Sequence, residues 1–218
     1  MMYCKDFEAR GIFVGENTRF FGSISIEKRV QIWHHCLVGF SGKYEDFIFE
    51  HTDIDRDEVT FLGQGTVVNP FSIIFQGAKI GKNVEINEHS RIGLRTVIGD
   101  GTKIVYGARI YDDVAIGKRC IIAGFCCNGS KIDDETTMMG HLIHKYPAHA
   151  IDAWNDEDAE DPPSPIIEEN AIVGYNSIII GGVTVGRNSY IGAGTIITCD
   201  VPPNTKVVTS RRLDIKDR

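Results

Sequence analysis

Apolar residues recur along this chain at a spacing of six. An aliphatic or aromatic residue stands at every sixth position over 14–38, and the same phase resumes over 62–122 before it fails at Asn128. A third block, shifted by three residues, covers 167–197. An α-helix needs apolar residues at a mean spacing near 3.6 and a half-buried strand needs strict alternation. The pattern therefore predicts a solenoid instead of either element.

Each hexad is predicted to form one short strand whose leading aliphatic side chain points inward. A small or β-branched residue follows four positions later in most hexads and suits a corner, where the chain bends. Glycine often takes the second place, where we expect it to relax the backbone geometry. Parallel coils stacked about 4.8 Å apart would then make a narrow prism of about seven or eight coils.

The hexads IGKNVE, IGLRTV, IGDGTK, IGKRCI and IGAGTI resemble those of the hexapeptide-repeat family. The resemblance covers about residues 14–208 and implies an all-β fold, a left-handed parallel β-helix of hexapeptide repeats with three hexads per coil. The left hand comes from the resemblance alone, because crossovers between parallel strands are ordinarily right-handed.

The length of 218 residues favours one domain. Its expected parts are an N-terminal cap at 1–13, coils at 14–133 with an irregular segment at 44–61, a long extruded loop at 134–166, closing coils at 167–202, and a C-terminal cap or tail at 203–218. The irregular segment is either a surface loop or distorted coil, or a part that shapes an acceptor pocket. The extruded loop has no hexad rhythm, and a loop of that length inside a regular array is usually functional or disordered.

The charge balance disfavours a nucleic acid partner. The chain has 23 Lys+Arg against 30 Asp+Glu, a formal net charge of -7, whereas a phosphate backbone calls for a cationic surface. No stretch approaches the roughly 20 apolar residues that cross a bilayer, and the first residues lack the apolar block of a secretory signal. We therefore expect a cytoplasmic protein with no membrane partner.

The six cysteines include no CxxC pair and are predicted to be free thiols. Cys36, Cys120 and Cys126 fall on the small corner position, where a buried thiol packs as a small apolar group. Cys127 stands next to the extruded loop and is not assigned.

Hexapeptide acyltransferases of the xenobiotic, galactoside and polysaccharide type resemble this chain in the order of its parts. Several hexads precede a protruding loop with a Gly-His, here Gly140-His141, and a closing block follows that reads VGYNSIIIGGVTVGRNSYIGAGTIITCDVPPNT. The resemblance implies transfer of an acetyl group from acetyl-CoA to a hydroxyl or amine of a sugar or nucleotide sugar. It also implies that His141 is the general base, with His144 or His149 as alternatives, and that no metal is needed.

Transfer from a thioester requires a base that takes the acceptor proton and later delivers it to sulfur, together with donors for the oxyanion. Histidine suits the first task because its ordinary pKa is near 6.5, and backbone N–H groups can serve the second. Asp133, Asp134, Glu135 or a backbone carbonyl could orient the imidazole. The candidate stacking surfaces for a sugar ring are Trp154, Tyr146 and Phe125.

The family also binds coenzyme A along the closing coils between two subunits, which implies a homotrimer. By this resemblance the contacts with the pantetheine arm are Gly174, Tyr175, Ala193 and Thr198, and the cations near the phosphates are Lys206, Arg211 and Arg212. Many relatives have lysine where Cys199 stands. They also follow the PPNT turn with a Gly-x-Pro-Ala segment, where this chain reads KVVTSRRLD.

Two other functions are compatible with the fold. A γ-type carbonic anhydrase needs three imidazoles around one zinc, and the candidates are His34, His35, His51 and His89. However, His35 and His89 are three nominal coils apart, or about 14 Å at the interstrand spacing. A non-enzymatic scaffold is the other alternative, and it has no use for a long loop that carries histidines.

Overall fold

In a computed structural model, residues 4–41, 58–146 and 162–209 are described. They form one short helix followed by strands of two to four residues. The first part contains α1 (Cys4–Ala9), β1 (Phe13–Val14), β2 (Arg19–Phe20), β3 (Ile24–Ile26), β4 (Gln31–Ile32), β5 (Leu37–Phe40), β6 (Thr60–Leu62), β7 (Val67–Val68), β8 (Ile73–Phe75) and β9 (Lys79–Ile80).

The middle part contains β10 (Glu85–Ile86), β11 (Arg91–Ile92), β12 (Val97–Ile98), β13 (Lys103–Ile104), β14 (Arg109–Ile110), β15 (Ala115–Ile116), β16 (Ile121–Ile122), β17 (Phe125–Cys126) and β18 (Lys131–Ile132). The last part contains β19 (Thr137–Met138), β20 (His141–Ile143), β21 (Ile166–Ile167), β22 (Ile172–Val173), β23 (Ile178–Ile180), β24 (Thr184–Val185), β25 (Tyr190–Ile191), β26 (Ile196–Ile197) and β27 (Lys206–Val207).

These strands form three parallel sheets, one on each face of a prism. Sheet A runs β1-β4-β7-β10-β13-β16-β19-β22-β25-β27, sheet B runs β2-β5-β8-β11-β14-β17-β20-β23-β26, and sheet C runs from β3 through β6, β9, β12, β15, β18 and β21 to β24. The chain visits the three sheets in turn and completes about nine coils. The predicted left-handed parallel β-helix is confirmed.

The core is a stack of the leading aliphatic residues. Register pairs place like on like from coil to coil, as in Ile86 on Ile104 and then Ile122, and all three side chains are fully buried. Apolar side chains that line up inside a two-residue strand gain burial only if the register is kept. The strict hexad rhythm therefore specifies the stack.

Many corners combine a left-handed residue with a buried hydroxyl. The fourth residue of a hexad has positive φ, for example 52° at Asn83 and 70° at Gly101. One place later, the buried Thr102 hydroxyl donates to the Gly117 carbonyl at 2.8 Å and accepts the Cys120 N–H at 3.0 Å. The hydroxyl thus satisfies backbone groups that the bend removes from the sheets.

The glycines in second place have a different role from the one expected. Gly99 does not have a left-handed φ, but a Cβ there would lie 2.6 Å from the carbonyl carbon of Gly117 in the next coil. These glycines are therefore required for close approach between coils and not for backbone freedom.

The predicted irregular segment at 44–61 falls between two coils that are direct neighbours. Strands β5 and β8 pair directly, as do β3 and β6, so the coils on either side of 42–57 are neighbours. Residues 60 and 61 already belong to β6. Because 42–57 lies outside the described residues, the possible role of this segment in an acceptor pocket stays a prediction.

The extruded loop begins later than expected. Strands β19 and β20 lie inside the predicted loop at 134–166, and the chain leaves the stack only after β20 and returns at β21. The hexad phase was lost because two steps between leading residues are four residues long, from Ile122 to Cys126 and from Met138 to Leu142. These steps add coils that a fixed period of six does not find.

The two ends close the stack in different ways. Helix α1 lies in the expected N-terminal cap, and its partly buried Phe7 packs against the core. The expected C-terminal cap instead continues the stack, since β27 pairs with β25. Over the three described ranges, no helix has the length and apolar character to cross a bilayer.

Candidate functional site

A cavity of about 730 Å³ opens along the edge where sheets A and B meet. Two short steps of the chain form its back, at 123–124 and at Met139, and full corners border it below at 105–107 and above at 175–176. A step shortened by two residues cannot project as far as a full corner. The cavity is therefore the notch left where two successive coils have short A-to-B corners.

Glycines let these short corners approach the coil above. Gly124 has φ of 89°, and a Cβ there would overlap the carbonyl oxygen of Gly140. A Cβ on Gly140 would in turn overlap the carbonyl oxygen of Ser177. Both short steps could have been found from the sequence, because each places a Gly between two apolar residues four positions apart.

His141 faces this cavity from a strand and not from an extruded loop. It occupies the outward position of β20, in register with Phe125 below and Ile178 above, and all three side chains line the cavity. Within the described ranges its imidazole makes no hydrogen bond, and only its backbone N–H is paired, with Ser177 O at 2.8 Å. The Gly-His motif thus located the cavity but not the element that carries the histidine.

His144 is held differently and does not line the cavity. The side chain is buried, and its Nδ1 lies 2.8 Å from the carbonyl oxygen of Pro162. Because a carbonyl only accepts, Nδ1 carries the proton, and Nε2 is buried with no partner in the described chain. Tyr146, one of the suggested stacking surfaces, packs against this ring at 5.7 Å between centroids.

Two of the three acidic residues suggested as partners for a histidine base are engaged elsewhere. Asp134 accepts the backbone N–H of Lys118 at 2.7 Å, and Glu135 pairs with Arg119. Both contacts lie at a corner between sheets C and A. An imidazole could be oriented by a carboxylate or by a backbone carbonyl. His144 has such a carbonyl, that of Pro162, whereas His141 has neither kind of partner within the described residues.

The residues suggested for coenzyme A fall into two regions. Gly174 and Ala193 stack in consecutive coils beside the cavity, where a Cβ on Gly174 would lie 2.6 Å from the Ala193 nitrogen, and Tyr175 projects at the upper rim with 65% exposure. Thr198 lines a smaller pocket of about 470 Å³ together with Cys199.

Of the suggested cations, only Lys206 lies within the described residues. Lys206 lies over the ring of Tyr190, with Nζ 5.6 Å from the centroid. The candidates outside the described residues are His149, Trp154, Arg211 and Arg212.

Two arginines beside the cavity were not singled out from the sequence. Arg91 and Arg109 are register partners on the outer face of sheet B, below Phe125. Their spacing of 18 residues, one full coil, is a signal that the sequence offers. Arg91 is held between the rings of Phe75 and Tyr111, 4.3 Å from each centroid, whereas Arg109 lines the cavity.

The histidines considered for zinc do not converge. The rings of His35, Phe71 and His89 stack in sequence with 5.1 Å between successive centroids, so the phenyl ring separates the two imidazoles. They are two coils apart and not three, because 42–57 is not part of the stack. Within the described ranges no group of three or more His, Cys, Asp or Glu could hold a metal ion. His51 lies outside those ranges.

Five cysteines are free thiols, as predicted: Cys36, Cys120, Cys126 and Cys127 are buried, and Cys199 is exposed. Cys36 and Cys120 occupy corners, where burial raises the pKa of both thiols. Cys126 is not a corner residue but the inward residue of β17, paired with Ile110 and Leu142, and burial raises its pKa strongly. Cys127 is buried against Ser130.

Comparison with known proteins supports the repeat and the fold. The family model "Bacterial transferase hexapeptide (six repeats)" matches residues 164–199. The bifunctional protein GlmU of Clostridium botulinum (strain Langeland) is 31% identical over 198 residues, covering 89% of this chain and 37% of the relative. GlmU of Heliobacterium modesticaldum is 29% identical over 190 residues, covering 78% and 41%. The chain spans about two fifths of the length of these relatives.

Solved structures share the architecture at low identity. The UDP-N-acetylglucosamine O-acyltransferase LpxA from Moraxella catarrhalis superposes with a TM-score of 0.53 at 18% identity, covering 87% of this chain and 68% of that protein. LpxA from Acinetobacter baumannii gives a TM-score of 0.50 at 15% identity, with 89% and 69% covered. At these identities the likeness establishes the β-helix fold alone.

Proposed function

We propose that this hexapeptide-repeat protein is an acyl-CoA-dependent acyltransferase that moves an acetyl group from acetyl-CoA to a hydroxyl or amine of a sugar-derived acceptor. The observation that carries the proposal is the position of His141, whose unpaired imidazole faces a cavity of about 730 Å³. The O-acyltransferase activity of the Moraxella protein with the same fold supports this reaction class. We further propose that the enzyme acts in the cytosol.

In the proposed reaction, the acceptor binds in the cavity with its hydroxyl or amine against the His141 imidazole. The ring takes the acceptor proton as the oxygen or nitrogen attacks the thioester carbon, and the tetrahedral intermediate collapses with transfer of that proton to the leaving sulfur. A neutral imidazole can do this only if one ring nitrogen is free. His141 meets that condition, since its side chain has no hydrogen-bond partner in the described chain.

The cavity lining suits a sugar ring with few polar contacts. Phe125 and Ile178 form an apolar floor on either side of His141, and the exposed Tyr106 and Tyr175 stand at the lower and upper rims. Asn176 supplies amide hydrogen-bonding groups at the upper rim. Apolar surface with a small number of placed polar groups is typical of small-molecule sites.

We place the pantetheine arm of the donor along the closing coils next to Gly174, Tyr175, Ala193 and Thr198. Outward apolar side chains on the same coils would be covered by a second subunit, and Ile196 is the most exposed of these at 61%. Exposed apolar residues that recur on successive coils favour a protein interface over solvent. A homotrimer would bury them and close the open side of the cavity.

The proposal separates His141 from His144 by experiment. Release of thiol from acetyl-CoA is measured with a panel of sugars and nucleotide sugars, for the wild type, His141→Ala, His144→Ala and His35→Asn. His141→Ala is expected to lower turnover by about 10²-fold or more while coenzyme A affinity stays near the wild-type value. The control His35→Asn removes an imidazole from a remote corner and keeps a residue type that tolerates its φ of 60°.

If His144→Ala abolishes turnover and His141→Ala does not, the base is the buried imidazole that Pro162 orients. If neither variant changes turnover, the assignment of a histidine base is wrong. If the wild type releases no thiol with any acceptor, the acyltransferase proposal itself fails, and the scaffold alternative gains support.

A further inference from the structure

Arg109 is a cation without a partner at the edge of the candidate active site. Its side chain is exposed on the outer face of β14 and lines the same cavity as His141. Its guanidinium makes no hydrogen bond or ion pair with any residue in the described ranges. Its register neighbours are Arg91 on one side and Phe125 on the other, so neither supplies a negative charge.

Three arginines of the neighbouring coils, unlike Arg109, are each paired with a carboxylate one coil further on. Arg95 makes a bidentate pair with Asp113, with both contacts at 2.7 Å, and Arg119 pairs with Glu135. Arg91 reaches Asp112 at 3.4 Å and donates to the Ile110 carbonyl at 3.0 Å.

Among the residues that the structure describes, no Asp or Glu lines the cavity that Arg109 faces. This cavity is therefore locally cationic in a chain whose formal net charge is -7.

The arrangement is unfavourable in the absence of a ligand. Like charges directly opposite each other on neighbouring strands destabilise a sheet, and Arg91 and Arg109 are opposite each other. Arg91 is fixed by two aromatic rings and by Asp112, so Arg109 cannot share that carboxylate in the same geometry. An anion bound beside Arg109 would relieve the repulsion and satisfy its donors.

We propose that Arg109 binds an anionic group of the acceptor, so that the enzyme acylates a sugar that carries a phosphoryl or carboxylate oxyanion. This inference rests on the proposed acyltransferase function and assigns Arg109 as a specificity-determining residue. Arg109 and His141 are two strands apart on one sheet face, or roughly 10 Å between Cα atoms. A hexose with an anionic substituent spans that distance, with Tyr106 at the lower rim on the coil of Arg109 and Asn176 at the upper rim on the coil above His141.

The test uses one sugar in three forms. Galactose, galactose 1-phosphate and galacturonate are titrated into the full-length protein by calorimetry at low salt, because screening weakens such contacts. Variants are Arg109→Gln, Arg109→Lys, His141→Ala and, as a charge-matched control, Arg119→Gln at a distant corner. The phosphorylated and carboxylated sugars distinguish the two possible oxyanions.

The wild type is expected to bind at least one anionic form about tenfold or more tightly than galactose. Arg109→Gln should lose that preference by about 10- to 100-fold, Arg109→Lys should lose part of it, and Arg119→Gln and His141→Ala should keep it. The unfolding temperature of Arg109→Gln without ligand should not fall below the wild-type value, because a like-charge pair has been removed.

Equal binding of the three sugars by the wild type, or unchanged binding by Arg109→Gln, would overturn the proposal. A loss confined to coenzyme A binding would also overturn it, by assigning Arg109 to the donor. Acetyl transfer to neutral galactose at the same rate as to its anionic forms would refute the role of Arg109 and leave the acyltransferase standing. Binding of an anionic sugar through Arg109 without any thiol release would support the role of Arg109 and refute the acyltransferase proposal.

Discussion

Gly99 and Gly101 stand two residues apart in one coil, and the structure predicts that substitution is restricted at the two positions for different reasons. A Cβ on Gly99 would lie 2.6 Å from the carbonyl carbon of Gly117 and 2.7 Å from the Lys118 nitrogen. Gly101 has φ of 70°, but a Cβ there meets only the Arg119 side chain, at 3.6 Å. The first position requires space between coils, and the second requires a left-handed residue.

Gly99→Ala forces two backbone segments apart by about 0.8 Å if an ordinary contact of about 3.4 Å is to be restored. Overpacking of this kind costs about 1–3 kcal/mol of the free energy of unfolding. Gly101→Asn should change that free energy by less than about 0.5 kcal/mol, because asparagine adopts left-handed φ readily and already does so at the equivalent Asn83 and Asn170.

The assay is the urea midpoint of unfolding at one fixed protein concentration, because the stability of an oligomer depends on concentration. Gly99→Ala should unfold at clearly lower urea than the wild type, and Gly101→Asn at nearly the same urea. Equal midpoints for Gly99→Ala and the wild type would show that the coils are not in close contact at this position. A larger loss for Gly101→Asn would show that the corner needs glycine itself.

Two further predictions concern buried groups. Thr102→Val should lower the free energy of unfolding by about 1–3 kcal/mol, since it leaves the Gly117 carbonyl and the Cys120 N–H without their partner. The control Thr137→Val, on the outer face of sheet A, should leave that free energy nearly unchanged. Equal urea midpoints for the two variants would contradict this prediction. Iodoacetamide at pH 8 should label Cys199 and spare Cys36, Cys120 and Cys126 in the folded protein. Burial raises the pKa of these three thiols, so the reactive thiolate is scarce at pH 8 and their labelling should rise as pH rises. Peptide mass spectrometry that finds Cys126 labelled as fast as Cys199 would contradict this prediction.

Sequence reasoning identified the fold because the hexad pattern is a direct consequence of packing. Each coil can bury only one side chain per face, so the inward positions repeat strictly and are visible without any structure. The pattern became unreadable where two four-residue steps shift the phase. Met138 and Leu142 continue the apolar series, but a test with a fixed period of six interprets a two-residue deletion as the end of the array.

The sequence reasoning for the candidate site differs from the structure in one respect. The histidine of the Gly-His dipeptide lines the cavity, yet it lies on a strand, and the glycine before it is explained by contact with the coil above. The role of Arg109 could not be deduced from its residue type, because only the register shows that Arg91 takes the nearby carboxylate and that Phe125 occupies the other side. The ion pairs between coils join residues 16, 18 or 21 positions apart, so no fixed spacing in the sequence identifies them.

The position of length changes explains how such a regular stack acquires a site. The two segments outside the described residues, 42–57 and 147–161, each follow a strand of sheet B and precede the next strand of sheet C. Both short steps that form the cavity instead connect sheet A to sheet B. A corner can gain or lose residues without disturbing the core, because the inward residues before and after it keep their partners, as Cys126 does with Ile110 and Leu142. Removing two residues from successive corners on one edge therefore opens a cavity while the stack keeps its register, and it exposes the outward residues of sheet B that would otherwise lie beside a full corner. Phe125 and His141 follow the two shortened corners, and Arg109 lies one strand below them on the same face of sheet B, so the proposed base and the proposed anion-binding residue line one cavity.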